Sequence, residues 1–319
     1  MRRRSFLALL SAAIANLAVV RDRARAASAV VVLYAGSLVT IMENVVRPAV
    51  AKDGLDFKGE AKGSVALANL IKSGLRSPDV FISADLKVLD DLMTAQSKNV
   101  VLWYAPFATT RLVIGYAATS SFAGDFIDVT KGTKKLVDVF LLPGLKIGRT
   151  DPAVDPKGYR TIIAAKLLES GGDAPAGFAT KLLGDDRNTA QIFPEETLLA
   201  RLETGDLDAA FLYATESVAR KVPSVELPDS ANLGDPSQAA HYATASVTID
   251  GTKHTGSPSV YGITIPTVAP DKVAAESFVA YLLGSDGKQL LESAGVTVLK
   301  PTIVGDRSAV PPGVLAQIA

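Results

Sequence analysis

Four short stretches place a small or polar residue at the start of a candidate helix. Gly36-Ser37 follows the aliphatic run Val30 to Leu33 and precedes Ile41, Val45 and Val46, which recur at helical spacing. Gly63-Ser64 precedes Val65, Leu67, Ala68, Leu70 and Ile71, an apolar stripe closed by Gly74. Asp155-Pro156-Lys157-Gly158 opens a helix through Ile162, Ile163 and Leu167, with proline at the first helical position. Pro194-Glu195-Glu196 opens another, which ends at Gly205. Helix starts gather free backbone N–H groups and the positive end of the helix dipole, and a serine adds a hydroxyl donor. Capping explains each start taken singly. Together, the four could ring an anion.

The elements that must position these residues alternate along the chain. Strand-like runs occur at Val30–Leu33, Asp79–Ser83, Leu112–Tyr116, Lys146–Gly148, Asp208–Tyr213 and Ser259–Ile265. Helical patterns fall at 38–52, 64–73, 86–95, 133–140, 157–169, 195–204, 271–283 and 285–294. This βαβα order predicts parallel sheets with helices on both faces, an α/β fold. No repeat, low-complexity tract or long linker interrupts it.

The first 26 residues read as an export signal. Arg2, Arg3 and Arg4 precede an apolar stretch from Phe6 to Val20, which suits a signal core better than a membrane span. Arg3-Arg4-Ser5-Phe6-Leu7 matches a twin-arginine pattern, the mark of a protein exported already folded. Ala24-Arg25-Ala26 and Ala27-Ser28-Ala29 offer cleavage positions. Six of the 33 basic and one of the 33 acidic residues lie in 1–26, leaving 27 and 32, a balance of about −5. No basic excess remains to recruit nucleic acid or an anionic membrane. With no cysteine there is neither a disulfide nor a lipid-bearing N-terminal cysteine, so an exported, soluble, periplasmic chain is expected to rely on its core. At 48% hydrophobic residues the chain can build one, in two lobes.

Enzymatic chemistry finds little support. Gly36-Ser37 lacks the following glycine of a nucleophile elbow. His241 and His254 are the only histidines, both in polar stretches that read as loop surface, and no zinc-ligand spacing occurs. An exported hydrolase using Asp155 and Glu195 as an acid/base pair is the rival from another class.

Seven motifs in order carry a resemblance. They are Tyr34-Ala35-Gly36-Ser37-Leu38, Gly63-Ser64-Val65, Asp79 to Asp85, Asp155 to Arg160, Leu202 to Asp208, Phe211-Leu212-Tyr213 and Gly256 to Gly262. From Val30 to about Val304 the chain resembles the periplasmic molybdate/tungstate-binding proteins of ABC transporters, of the archaeal type. The resemblance implies a two-lobed type II periplasmic-binding-protein fold, two doubly wound sheets joined by a two-strand hinge near 105–112 and 243–262. Residues 27–108 with 256–319 would form one lobe and 109–255 the other. It implies no resident cofactor, tungstate or molybdate as ligand, an inner-membrane permease as partner, and a monomer.

The resemblance also assigns roles. Gly36, Ser37 and Ser64 match the donors from the first lobe. Asp155 with the Pro156-Lys157 peptide matches the loop from the second lobe, Tyr213 a phenol that donates to an oxo group, and Glu195 a second carboxylate. Lys157 departs from the small residue often found at its position. Two carboxylates beside a dianion cost on the order of 4 kcal/mol per like-charge pair at about 4 Å and an effective dielectric near 20. Molybdenum(VI) or tungsten(VI) offsets this by accepting Asp155 and Glu195 as extra oxygen ligands, rising from four- to six-coordinate. Sulfate has no such route, whereas a phosphate proton can bridge to a carboxylate. Sulfate or phosphate is thus the alternative cargo. A ferric-ion site is disfavoured because Tyr213 stands as a single candidate tyrosine.

Overall fold

The computed structural model describes residues 28–318. The leader expected over 1–26 lies outside them. Among the described residues no helix is long and apolar enough to cross a membrane.

Strands β1 (Ser28–Ala35), β2 (Leu55–Lys62), β3 (Val80–Ser83) and β4 (Trp103–Thr109) belong to one sheet. Strands β5 (Leu112–Tyr116), β6 (Ile147–Gly148), β7 (Ala209–Tyr213) and β8 (Ser224–Glu226) form a second. A hairpin of β9 (Ser246–Ile249) and β10 (Thr252–Thr255) follows, and β11 (Val260–Thr264), β12 (Thr297–Val298) and β13 (Val304–Gly305) return to the first sheet. The first sheet runs β2–β1–β3–β11–β4, with β12 and β13 also paired to β4. The second runs β6–β7–β5–β8.

Neither sheet is all-parallel, which corrects the sequence expectation. β1 pairs parallel with β2 and β3, but β11 is antiparallel to both β3 and β4, and β5 is antiparallel to β7 and β8. After β4 the chain leaves for the second sheet instead of winding back, so a distant strand must fill the slot between β3 and β4. Among the described residues, seven strands lie outside the strand-like runs of the sequence, the two longest being β2 and β4. In β2 only Leu55 and Phe57 are buried, too short an alternation to stand out. β4 falls where a hinge was expected.

The chain crosses between sheets at Thr110-Arg111 and returns over residues 256–259. The two passages are bonded, Thr110 N–H donating to Ser259 O at 3.0 Å. The helix expected over 38–52 is wound irregularly, with a π-helical turn at Met42–Val46. Pro48 has no N–H for the carbonyl of residue 44, which favours a widened turn there.

Two features aim the site. The β1/β2 register pairs Ala35 with Lys62, so Gly36-Ser37 and Gly63-Ser64 emerge side by side from one sheet edge. The helix Pro156–Ser170 is buried almost all round, from Pro156 through Ala165 and again at Leu167 and Leu168. A helix sunk so deeply presents polar side chains only where they find partners.

Candidate functional site

The four helix starts converge. Gly36 faces the Glu195 carboxylate so closely that a β-carbon there would overlap Oε2. Gly63 faces the other approaching loop, where a β-carbon would overlap the Val154 carbonyl and stand 3.0 Å from Asp155 Cβ. Both turns need glycine for this close approach. Ala66 N–H donates to Val154 O at 3.1 Å and ties the two loops together. A cavity of about 260 Å³ opens beside the carboxylates, its walls including Gly63, Thr150, Asp155, Phe193 and Glu195.

Neither serine caps its helix. Ser37 lies within a short 3-10 turn whose cap residue is Ala35, and Ser64 is the first residue of Ser64–Lys72, whose cap residue is Gly63. Both are buried. Ser37 Oγ accepts from Tyr261 Oη at 3.1 Å, and Ser64 Oγ accepts from Ala84 N–H at 3.0 Å. Tyr213 Oη, fully buried at the end of β7, accepts from Arg160 Nη1 at 2.8 Å. Each of the three hydroxyls thus has an oxygen lone pair engaged by a neighbour and keeps its own proton to donate.

Asp155 and Glu195 are the acidic side of the site. Asp155 does cap the helix Pro156–Ser170, its Oδ1 accepting from Lys157 N–H at 2.8 Å, while its buried Oδ2 has no hydrogen-bond donor. Burial pushes the Asp155 carboxyl above its ordinary range, against the pull of Lys157. Glu195 is pushed well up too, first by burial and then by the Asp155 charge.

Lys157 turns its ammonium inward. Nζ is fully buried, 3.1 Å from Glu195 Oε1 and 2.7 and 2.8 Å from the two oxygens of Glu216. Burial alone would drive it toward neutrality, but Glu216, then Glu195 and Asp155, hold it charged and raise its pKa. Its N–H serves the Asp155 cap, so what Lys157 brings to the cleft is the ammonium.

Beside this cluster sits a second one. Arg160 Nη1 also donates to Ala84 O at 2.6 Å, and Nη2 lies 3.2 Å from Asp85 Oδ2. Tyr159 Oη donates to the same Asp85 oxygen at 2.5 Å. These bonds join the helix Pro156–Ser170 to the end of β3. The histidines depart from the loop surface expected of them. His254, in β10, stacks on Tyr159 with ring centroids 4.0 Å apart, and His241, in the short helix Ala239–Tyr242, lies 3.0 Å from Ser230 O. Tyr213 is not a single tyrosine either, since the Tyr261 ring meets it edge-on at 6.4 Å.

Residues 30–297 match the family of bacterial extracellular solute-binding proteins. The chain belongs to this family. A candidate ABC transporter molybdenum-binding protein of Haloferax volcanii is 36% identical to it over 301 residues, covering 93% of this chain and 92% of the relative. The molybdate/tungstate-binding protein WtpA of Thermococcus kodakarensis is 28% identical over 77% of this chain and 74% of its own. Among solved structures, the periplasmic molybdate-binding protein of Azotobacter vinelandii superposes with a TM-score of 0.57 at 17% identity, over 85% of this chain and 99% of that one. The sulfate-binding protein SubI of Mycobacterium tuberculosis gives 0.53 at 13%, over 91% and 96%. At such identities these two structures bear on the fold alone, which is the two-lobed type II binding-protein fold expected.

Arg160, Asp85, Tyr261 and Glu216 stand beside the site of this solute-binding protein without a sequence pattern that singles them out. Asp85 and Arg160 stand at the ends of two of the seven motifs, and Tyr261 lies inside a third. Glu216 had one local signal, its place three residues after Tyr213, from which Oε2 accepts the Tyr213 N–H at 2.7 Å.

Proposed function

We propose that this solute-binding protein captures molybdate or tungstate between its lobes and delivers it to the membrane permease of an ABC transporter. Gly36, Ser37, Ser64, the Pro156-Lys157 segment and Tyr213 surround the oxyanion, and Asp155 and Glu195 reach its metal. Residues 27–108 with 256–319 make one lobe and 109–255 the other. The protein works as a periplasmic monomer without catalytic residues, and residues 1–26 direct its export.

One observation carries this reading. Three buried hydroxyls keep their protons for donation beside two carboxylates, one of which has an oxygen with no hydrogen-bond donor. Donors suit the oxo groups. Carboxylates repel a fully ionised dianion, and a return comes where the central atom takes them as ligands, as a metal(VI) does and sulfur does not. The names borne by the Haloferax and Thermococcus relatives agree with that choice.

Equilibrium binding of tungstate, molybdate, sulfate and phosphate tests it. Wild type is expected to prefer the two metal oxyanions. Asp155→Asn with Glu195→Gln is expected to weaken both strongly while sulfate binding holds or improves. Tungstate affinity unchanged in that double variant would remove the carboxylates from the ligand set. At the metal X-ray absorption edge, the six-coordinate arrangement adds two longer oxygens to four short ones.

A further inference from the structure

We infer that Lys157 and Glu216 are positioning residues that fix Glu195 as a one-oxygen partner for the bound anion. The inference rests on the reading of Glu195 as a ligand and extends it to two residues whose side chains donate no hydrogen bond to the anion.

An ammonium has three N–H donors. Three carboxylate oxygens stand around Lys157 Nζ, both of Glu216 and Oε1 of Glu195. The donors are therefore spent, and Lys157 does not serve as a hydrogen-bond donor to the anion. Holding Oε1 leaves Glu195 with Oε2, the oxygen against Gly36 at the end of β1. Glu216 is anchored in turn, its Oε2 accepting the Tyr213 N–H at 2.7 Å. The chain Tyr213 N–H, Glu216, Lys157, Glu195 thus joins the starts of three helices, Pro156–Ser170, Glu195–Glu203 and Ala214–Arg220, and registers a carboxylate oxygen against the phenol of Tyr213. The Lys157 ammonium lies 5.6 Å from the centre of the Tyr213 ring, so the two sides of the site share this support.

The electrostatics require such a device. A carboxylate beside a dianion is repelled unless a cation lies behind it, and in a buried site the interaction is little screened. Lys157 supplies the cation on the side of Glu195 away from Gly36. Glu216 balances the lysine, so the pair adds no net charge to the cleft.

Lys157→Met alone leaves Glu195 and Glu216 facing each other without a cation and is a folding risk. The test therefore uses Lys157→Met with Glu216→Gln, which removes one charge of each sign and roughly conserves volume. Tungstate affinity is measured for wild type, this pair, Glu195→Gln, and the two combined. The pair is expected to weaken tungstate ten- to hundredfold in the wild-type background and less than twofold once Glu195 is already Gln, because its effect acts through Glu195. A melting temperature for each ligand-free variant checks the fold. An equal loss in both backgrounds, or no loss in either, overturns the inference while leaving the functional reading intact. Wild type that binds neither tungstate nor molybdate overturns both.

Discussion

Ser37 and Ser64 are buried to nearly the same extent, yet their truncations are expected to differ. In Ser37→Ala, Tyr261 Oη loses one partner but retains Thr215 Oγ1 at 3.2 Å. In Ser64→Ala, the Ala84 N–H loses the acceptor it has at 3.0 Å. A buried donor left unsatisfied costs about 1–3 kcal/mol, so urea denaturation is expected to show Ser64→Ala as the less stable of the two. Both remove a donor to a charged ligand, worth about 1.5–3 kcal/mol, or roughly ten- to hundredfold in affinity. Isothermal titration with tungstate checks this. If affinity survives both truncations while stability falls, the serines brace the fold and do not bind.

The helix Pro156–Ser170 carries the joint between lobes. Over its first turn and a half it supplies the Asp155 cap, Lys157, Tyr159 and Arg160, the last two bonded to Asp85 and Ala84 across the cleft. Burial works against the Arg160 charge, but Asp85 and the neighbouring phenols more than restore it. Opening the lobes would hydrate Asp85 and Arg160 separately, so this pair is expected to weight the closed state more than the unfolding equilibrium. Asp85→Asn keeps a side-chain acceptor for the Lys87 N–H of its own helix and removes the charge facing Arg160. Ligand affinity is expected to drop, and solution scattering of the empty variant to show a wider particle. Wild-type affinity with an unchanged radius would show that the pair does not govern closure.

The β9–β10 hairpin adds an acid-sensitive contact to the same joint. Burial holds the His254 pKa below its usual value of about 6.5. Its neutral form is the one favoured in the fold. The stability it contributes is intact above that ordinary value and is lost as pH falls toward the lowered folded one. His254→Gln is expected to flatten that part of the stability–pH curve, read by thermal melts between about pH 5 and 7.

At the scale of the whole molecule, the proposed function has one small anion held by groups from both lobes. Ser37 and Ser64 lie at the edge of the first sheet, whereas Asp155, Glu195 and Tyr213 come with the second. They meet only when the cleft is shut, as Ala66 N–H bonded to Val154 O shows it here. Ligand is thus expected to reduce the radius of gyration in solution. It is also expected to stabilise the fold by roughly 4 kcal/mol at a thousandfold excess over Kd. A radius unchanged at saturation would count against closure.

Local pattern was enough for much of this protein. The aliphatic run before Gly36, the stripe after Gly63 and the proline at 156 record strand, helix and helix start within a few residues of chain, so sequence alone determined those elements. It also placed the residues that converge, because a polar residue at a helix start is a local event. Sheet direction was decided elsewhere. β11 inserts antiparallel between β3 and β4 although 150 residues separate it from β4, and nothing in either strand announces that partner. The direction of the Lys157 side chain was likewise undetermined, since a lysine following Asp-Pro is as compatible with solvent as with a core. Only the fold brings Glu195 and Glu216, 38 and 59 residues away, around one ammonium, and only with both present does its burial become favourable.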